Sequence, residues 1–275
     1  MSLRKIGRLP ATKRDLFFGS TTALAVLVLV TACGAKGKKA ASSSNSSSAV
    51  VKDCVLPAEQ QFSIQGHWGT TPIKVSIHAA DFDPGEVTAI QTGGKTWNTF
   101  FTASKGFNIF DLGADGIGNQ STNAQSAPAC NGGTLSDGTV LYKRFSNWTH
   151  SAQAIAVTTT CFTPSQSGGL ATIFNAIMEF NYVNFFAQSS GRFPDIQSIA
   201  LHELGHLLGL DHSCGALGRP NQANPNVSCP DSATDPNNPL LATVMFPQVF
   251  FDQTGAGEVK QALTTNDQGR ANCAY

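Results

Sequence analysis

The sequence predicts an α+β fold: one mixed, twisted β-sheet packed on a motif-bearing helix, followed by an irregular C-terminal subdomain that ends in a short helix. Three observations predict it. Segments with strand periodicity dominate the stretch up to residue 181. The clearest helical pattern follows them, at residues 195–210. Beyond it the chain is rich in Pro and Asn until residues 264–275. Strands first and helices later favour segregated layers over a regularly alternating α/β order.

Residues 73–78 (Ile73-Lys74-Val75-Ser76-Ile77-His78) alternate apolar and polar side chains, as a half-buried strand does. Residues 87–101 place Val87, Ile90, Trp97 and Phe101 near one helical face, although Gly93-Gly94 weakens the helix. Residues 107–110 read as a short strand and 111–138 as loop. Residues 139–145, 154–162 and 171–181 read as strands, with a Ser/Gly turn at 165–169. In the helix at 195–210, Asp195 follows Pro194 as a candidate cap, and Ile196, Ile199, Ala200, Leu204, Leu207 and Leu208 supply the apolar surface. Thr265 is the candidate cap of the last helix.

The chain has 275 residues and no net charge, but the balance is uneven. Five of its 18 basic residues and one of its 18 acidic ones lie in the first fifteen positions, so the rest carries a charge of about −4. That leaves no basic face for nucleic acid. The basic start leads into an apolar run, residues 16–32, whose core is too short to span a bilayer. The run ends in Val30-Thr31-Ala32-Cys33, small residues before a cysteine. This resembles the bacterial lipoprotein signal and implies cleavage before Cys33 with a lipid on that residue. Residues 1–32 are therefore expected to be an export signal, and residues 33–53, with their Ser/Lys/Ala-rich run, a disordered tether. The folded domain is expected over 54–275, exported, held on a membrane at its periplasmic or outer face, and monomeric. Without Cys33 six cysteines remain, enough for three disulfides in an exported chain, with 15 possible pairings. Cys214–Cys229 is the favoured pair, because both lie in one Pro/Asn-rich loop; Cys130–Cys161 and Cys54–Cys273 would complete the set.

The chemistry concentrates in His202-Glu203-Leu204-Gly205-His206. Histidines four apart share one helical face and can hold one ion, while Glu203 sits about 100° round the helix, within reach of water beside it. Gly209 can leave the helix in a left-handed conformation and bring His212 back as a third ligand. Three imidazoles with an open fourth position suit one catalytic zinc. Glu203 is then the general base for water attacking a carbonyl.

Residues 202–212 match the HExxHxxGxxH pattern of the metzincin zinc peptidases in full, and Ser213 after the third histidine resembles the matrixin variant. Ala242-Thr243-Val244-Met245-Phe246-Pro247 resembles the family's Met-turn, which implies that Met245 forms an apolar floor under the ligands. Gly209 and Met245 are thus expected to support the site. The resemblance also implies an extended substrate added to an edge strand, placed at residues 177–181 with Ile177, Glu179 and Asn181 as contacts. The implied activity is endopeptidase cleavage of extracytoplasmic proteins or peptides. A membrane-anchored zinc-containing binding lipoprotein is the rival, and a zinc enzyme for non-peptide amides a third reading. Two further expectations concern an acidic loop and two Phe pairs. The acidic loop at 111–119 offers oxygen ligands for Ca2+, and Phe185-Phe186 and Phe250-Phe251 line either a pocket or the core.

Overall fold

The computed structural model describes residues 24–31, 49–77, 82–112, 139–163, 169–187, 190–215 and 228–275. Seven strands form one mixed sheet: β1 (Leu24–Thr31), β2 (Gly66–Trp68), β3 (Ile73–Ile77), β4 (Phe110–Asp111), β5 (Thr139–Arg144), β6 (Ala154–Thr163) and β7 (Ala171–Asn181). Their order is β1-β6-β7-β5-β3-β4, with β2 beside the start of β7. The first helix, α1 (Pro84–Lys105), packs on α2 (Ile196–Leu207), and α3 (Thr265–Ala274) closes the chain. Alternation in β3 is matched by its burial, with Ile73, Val75 and Ile77 inside and Lys74 exposed. The long strands β6 and β7 are buried along almost their whole length, as expected of strands covered on both faces.

Two local signals set α1. Asp83 and Glu86 form a reciprocal capping box with Pro84 in the first turn, and Gly106 ends the helix at φ 84°. The helix is longer than its apolar periodicity predicts, and the glycine pair is where it serves packing. A Cβ on Gly93 would lie 3.1 Å from the backbone nitrogen of Leu201, so α1 and α2 approach backbone to backbone there. Beside this contact Trp97 is fully buried, and its indole N–H donates to the Leu201 carbonyl at 2.9 Å. Trp68 from β2 does the same for the Leu207 carbonyl at 2.7 Å, and the Tyr275 hydroxyl donates to Leu208 O at 3.1 Å. The carbonyls that a helix end leaves unpaired are thereby satisfied from two distant parts of the chain.

Two disulfides are seen whole: Cys54–Cys273 ties the beginning of the domain to α3, and Cys214–Cys229 closes the loop after the third histidine. Cys161 is also disulfide-bonded, while Cys130 lies outside the described residues, as does most of the candidate calcium loop. The cap of α3 is Thr264, one residue before the expected Thr265, with Asp267 completing its box.

One expectation needs correction. Residues 177–181 are not an edge. Ile177 pairs with Thr159 of β6 on one side and Val140 of β5 on the other, so β7 is interior and has no open backbone groups for a substrate. The strand flanking α2 is β6, and its outer side is taken by β1, antiparallel, with Val28 opposite Thr158. Residues 24–31 thus extend the sheet. A β-rich apolar run and an unpaired sheet edge satisfy each other's backbone groups. No helix among the described residues is long and apolar enough to cross a membrane.

Candidate active site

Helix α2 starts where Asp195 accepts from the Ser198 backbone N–H at 2.8 Å. From Ser198 to Leu207 every residue is buried, because α2 is covered by α1, by the sheet and by the C-terminal segment. His202 and His206 project from one face, one turn apart. The chain then reverses at Gly209, whose φ is 94° and whose N–H donates to His206 O at 2.9 Å. A Cβ there would sit 2.0 Å from Gly66 O, so the turn is pressed against the backbone of β2. The reversal carries His212 back. One ring nitrogen from each of His202, His206 and His212 falls within 4.8 Å of the others.

The rings are oriented from behind. His202 Nδ1 lies 2.6 Å from Val244 O, and His206 Nδ1 lies 2.8 Å from Leu210 O. A carbonyl only accepts, so both Nδ1 atoms carry hydrogen and both Nε2 atoms present lone pairs. Those two Nε2 atoms are buried and have no hydrogen-bond partner among the described residues. Burial also pushes the pKa of His202 down to about 4, and those of His206 and His212 well below the usual range. Neutral imidazoles with converging lone pairs, oriented by backbone acceptors, are what a zinc ion requires, and the donor set fits it.

Glu203 faces β6. Its Oε2 accepts from Thr158 Oγ1 at 2.6 Å, while Oε1 is buried without a partner among the described residues. Burial raises its pKa to about 8, against the opposing effect of the Thr158 hydrogen bond. A carboxyl held by one oxygen and open at the other is placed to take a proton and return it.

Met245 forms the floor. It is fully buried beneath α2, and a Cβ on Gly205 would come within 2.3 Å of its sulfur. Its carbonyl accepts from Ser213 N at 2.8 Å, which ties the floor to the segment of the third histidine. Phe246 carries no hydroxyl and packs on Phe250. Phe185 and Phe251 stack on each other in the core rather than lining the site.

Two residues of the site escape sequence reasoning. Thr158 is 45 positions from the carboxylate it holds, and nothing in an all-buried strand singles it out. Asp267 accepts from the backbone N–H of Val244 at 3.0 Å and of Met245 at 3.2 Å, and so holds the Met-turn in place. Its place three residues after Thr264 marks it as a cap, but not as a support for a turn more than twenty residues away. Arg270, buried beside it, donates to Asp211 O at 3.0 Å and steadies the segment that carries His212.

A mixed sheet on a histidine triad built from α2 and the turn that follows it, with a Met floor and an adjacent carboxylate, defines a zinc metalloendopeptidase of the metzincin type. The comparison with protein families agrees: the model Reprolysin_5, metallo-peptidase family M12, matches residues 90–254, more than half of the chain. The chain belongs to that family. Comparison with curated proteins gave no match, and comparison with solved structures gave none.

Proposed function

We propose that this protein is an exported, lipid-anchored endopeptidase that cuts extracytoplasmic proteins or peptides at the site built on His202, His206 and His212. The observation that carries this reading is Glu203 Oε1: a buried carboxylate oxygen, next to three converging imidazoles, that no hydrogen bond uses among the described residues. A binding module would leave such a group unsatisfied at a cost and gain nothing from it.

Zinc, when bound, supplies Lewis acidity that polarises a carbonyl and acidifies water at neutral pH. The rest is work for the chain. Glu203 Oε1 takes the proton of the attacking water and delivers it to the departing amine nitrogen, while Thr158 keeps the carboxylate from rotating away. The backbone of β6 runs beside Glu203 and offers its outer side to an extended peptide. In this reading β1 leaves with the signal, and the substrate pairs antiparallel in the place β1 holds. Ser213 and the capped α3 support a matrixin-like variant of the metzincin plan. Cys33 after Val30-Thr31-Ala32 supports the lipid anchor.

Two measurements test the reading. Purified protein should contain about one zinc per chain, lose casein cleavage on chelation and regain it with added zinc. Zinc-loaded, folded protein that cleaves neither casein nor any member of a peptide library would sink the peptidase reading. Cys33→Ser should move the protein from the membrane fraction to the soluble fraction; unchanged fractionation would refute the anchor.

A further inference from the structure

A cavity of about 300 Å3, including its solvent-filled mouth, opens beside His202 between the first turns of α2 and the segment after the Met-turn. Its position next to a metal ligand makes it the natural receptacle for the side chain of a residue flanking the cleaved bond. Ile199, Val244, Phe246 and Val249 make its walls apolar. Such walls alone would select Leu or Met. The lining, however, also contains Glu258 and Lys260.

Lys260 is fixed. Its backbone N–H donates to Ser198 Oγ at 2.8 Å, which ties it to the first turn of α2, and its ammonium lies 4.8 Å from the centre of the Phe246 ring. The side chain is only 14% exposed, and its one close polar partner among the described residues is Glu258 Oε1, at 2.9 Å. An ammonium has three N–H donors, so one ion pair leaves donors unmet in a largely dry wall. Burial accordingly draws the Lys260 pKa down. An incoming oxygen acceptor would meet those donors; a second cation would meet repulsion, and a purely aliphatic side chain would leave them unsatisfied.

We propose that Lys260, braced by Glu258, is a specificity-determining residue, and that the cavity takes a side chain with an aliphatic stem and a terminal oxygen acceptor, glutamine or glutamate. The proposal rests on the peptidase reading of the same site. The stem lies along Ile199 and Val249, and the terminal oxygen accepts from Lys260 Nζ.

The test is a peptide set identical except at the two positions flanking the scissile bond, with Gln, Glu, Leu or Lys at each, cleaved by zinc-loaded wild-type protein and by Lys260→Met. At one of the two positions the wild type should favour Gln and Glu over Leu by about tenfold or more in kcat/KM, the worth of a hydrogen bond to a charged group. Lys260→Met should reverse that order while binding as much zinc as the wild type. Glu258→Gln, which frees the ammonium from its resident carboxylate, should strengthen the preference for Glu over Gln. A wild-type preference for Leu at both positions overturns the proposal even if Lys260→Met fails to fold. So does a Gln and Glu preference that survives Lys260→Met. Cleavage with no dependence on Lys260 removes this inference alone, whereas no cleavage of any peptide removes the peptidase reading with it.

Discussion

Glu203→Gln should abolish most peptide cleavage while leaving zinc in place. The expected fall in kcat is about 10²–10⁴-fold, the range for loss of a positioned general base. The substitution keeps the shape of the side chain and a partner for Thr158, but an amide cannot accept the proton. Neither His202 nor His206 depends on Glu203 for its orientation: they are held by Val244 O and Leu210 O. Zinc stoichiometry should therefore stay near that of the parent. The same change should not destabilise the metal-free protein at neutral pH. A carboxyl whose pKa rises from 4.5 to about 8 on folding binds more protons folded than unfolded. Between those values it costs stability increasingly as pH rises, and an amide carries no such cost. Melting curves at pH 5 and pH 8 check this. Undiminished cleavage by Glu203→Gln would remove Glu203 from the chemistry, and loss of zinc would make it a structural residue instead.

Gly209→Ala should unfold the site. At φ 94° any L side chain is strained, and here the added methyl would lie 2.0 Å from Gly66 O and 2.7 Å from Gly66 C. Both are backbone atoms, and the approach is locked by Gln65 N donating to Gly209 O at 2.7 Å. Relief requires moving β2 off the helix exit or unwinding the turn that returns His212. The expected destabilisation is about 3–5 kcal/mol, at the upper end for a single substitution. For a domain of this size that is a melting shift of roughly 10 °C. Zinc should be lost on dialysis as well, because His212 no longer converges with the other two histidines. Gly106→Ala is the control: φ is 84°, but nothing lies within 4 Å of the added Cβ. It should cost about 1–2 kcal/mol from backbone strain alone and leave zinc bound. Equal effects of the two substitutions would show that the contact with β2 is unimportant.

The contrast between those two glycines shows how far the chain can be read without its fold. Both follow helices and both adopt positive φ; the sequence context suggests it for Gly209, where the chain must return His212. Only the folded structure presses one of them against another strand. The same division runs through the site. His202, His206, Gly209 and His212 are legible because the ligand spacing is a property of one helix and one turn, where geometry follows from 3.6 residues per turn. The bounds of β7 and the Asp195 cap are local in the same sense.

The pairing of strands is not local. Periodicity marks residues 154–162 and 171–181 as strands but does not say which lies at the edge, and the neighbours β5 and β6 of β7 come from opposite sides with different directions. Thr158 under Glu203, Asp267 under the Met-turn and Lys260 beside Ser198 are likewise unmarked in composition or spacing. Each is made by a hydrogen bond between segments from 22 to 62 residues apart. By itself the sequence determined an α+β chain with three metal-ready imidazoles and a neighbouring carboxylate, because short-range helix geometry is enough to place them. The tertiary structure alone decided which strand borders the cleft, what holds the carboxylate and which charge enters the pocket, because those depend on contacts that only close packing brings together.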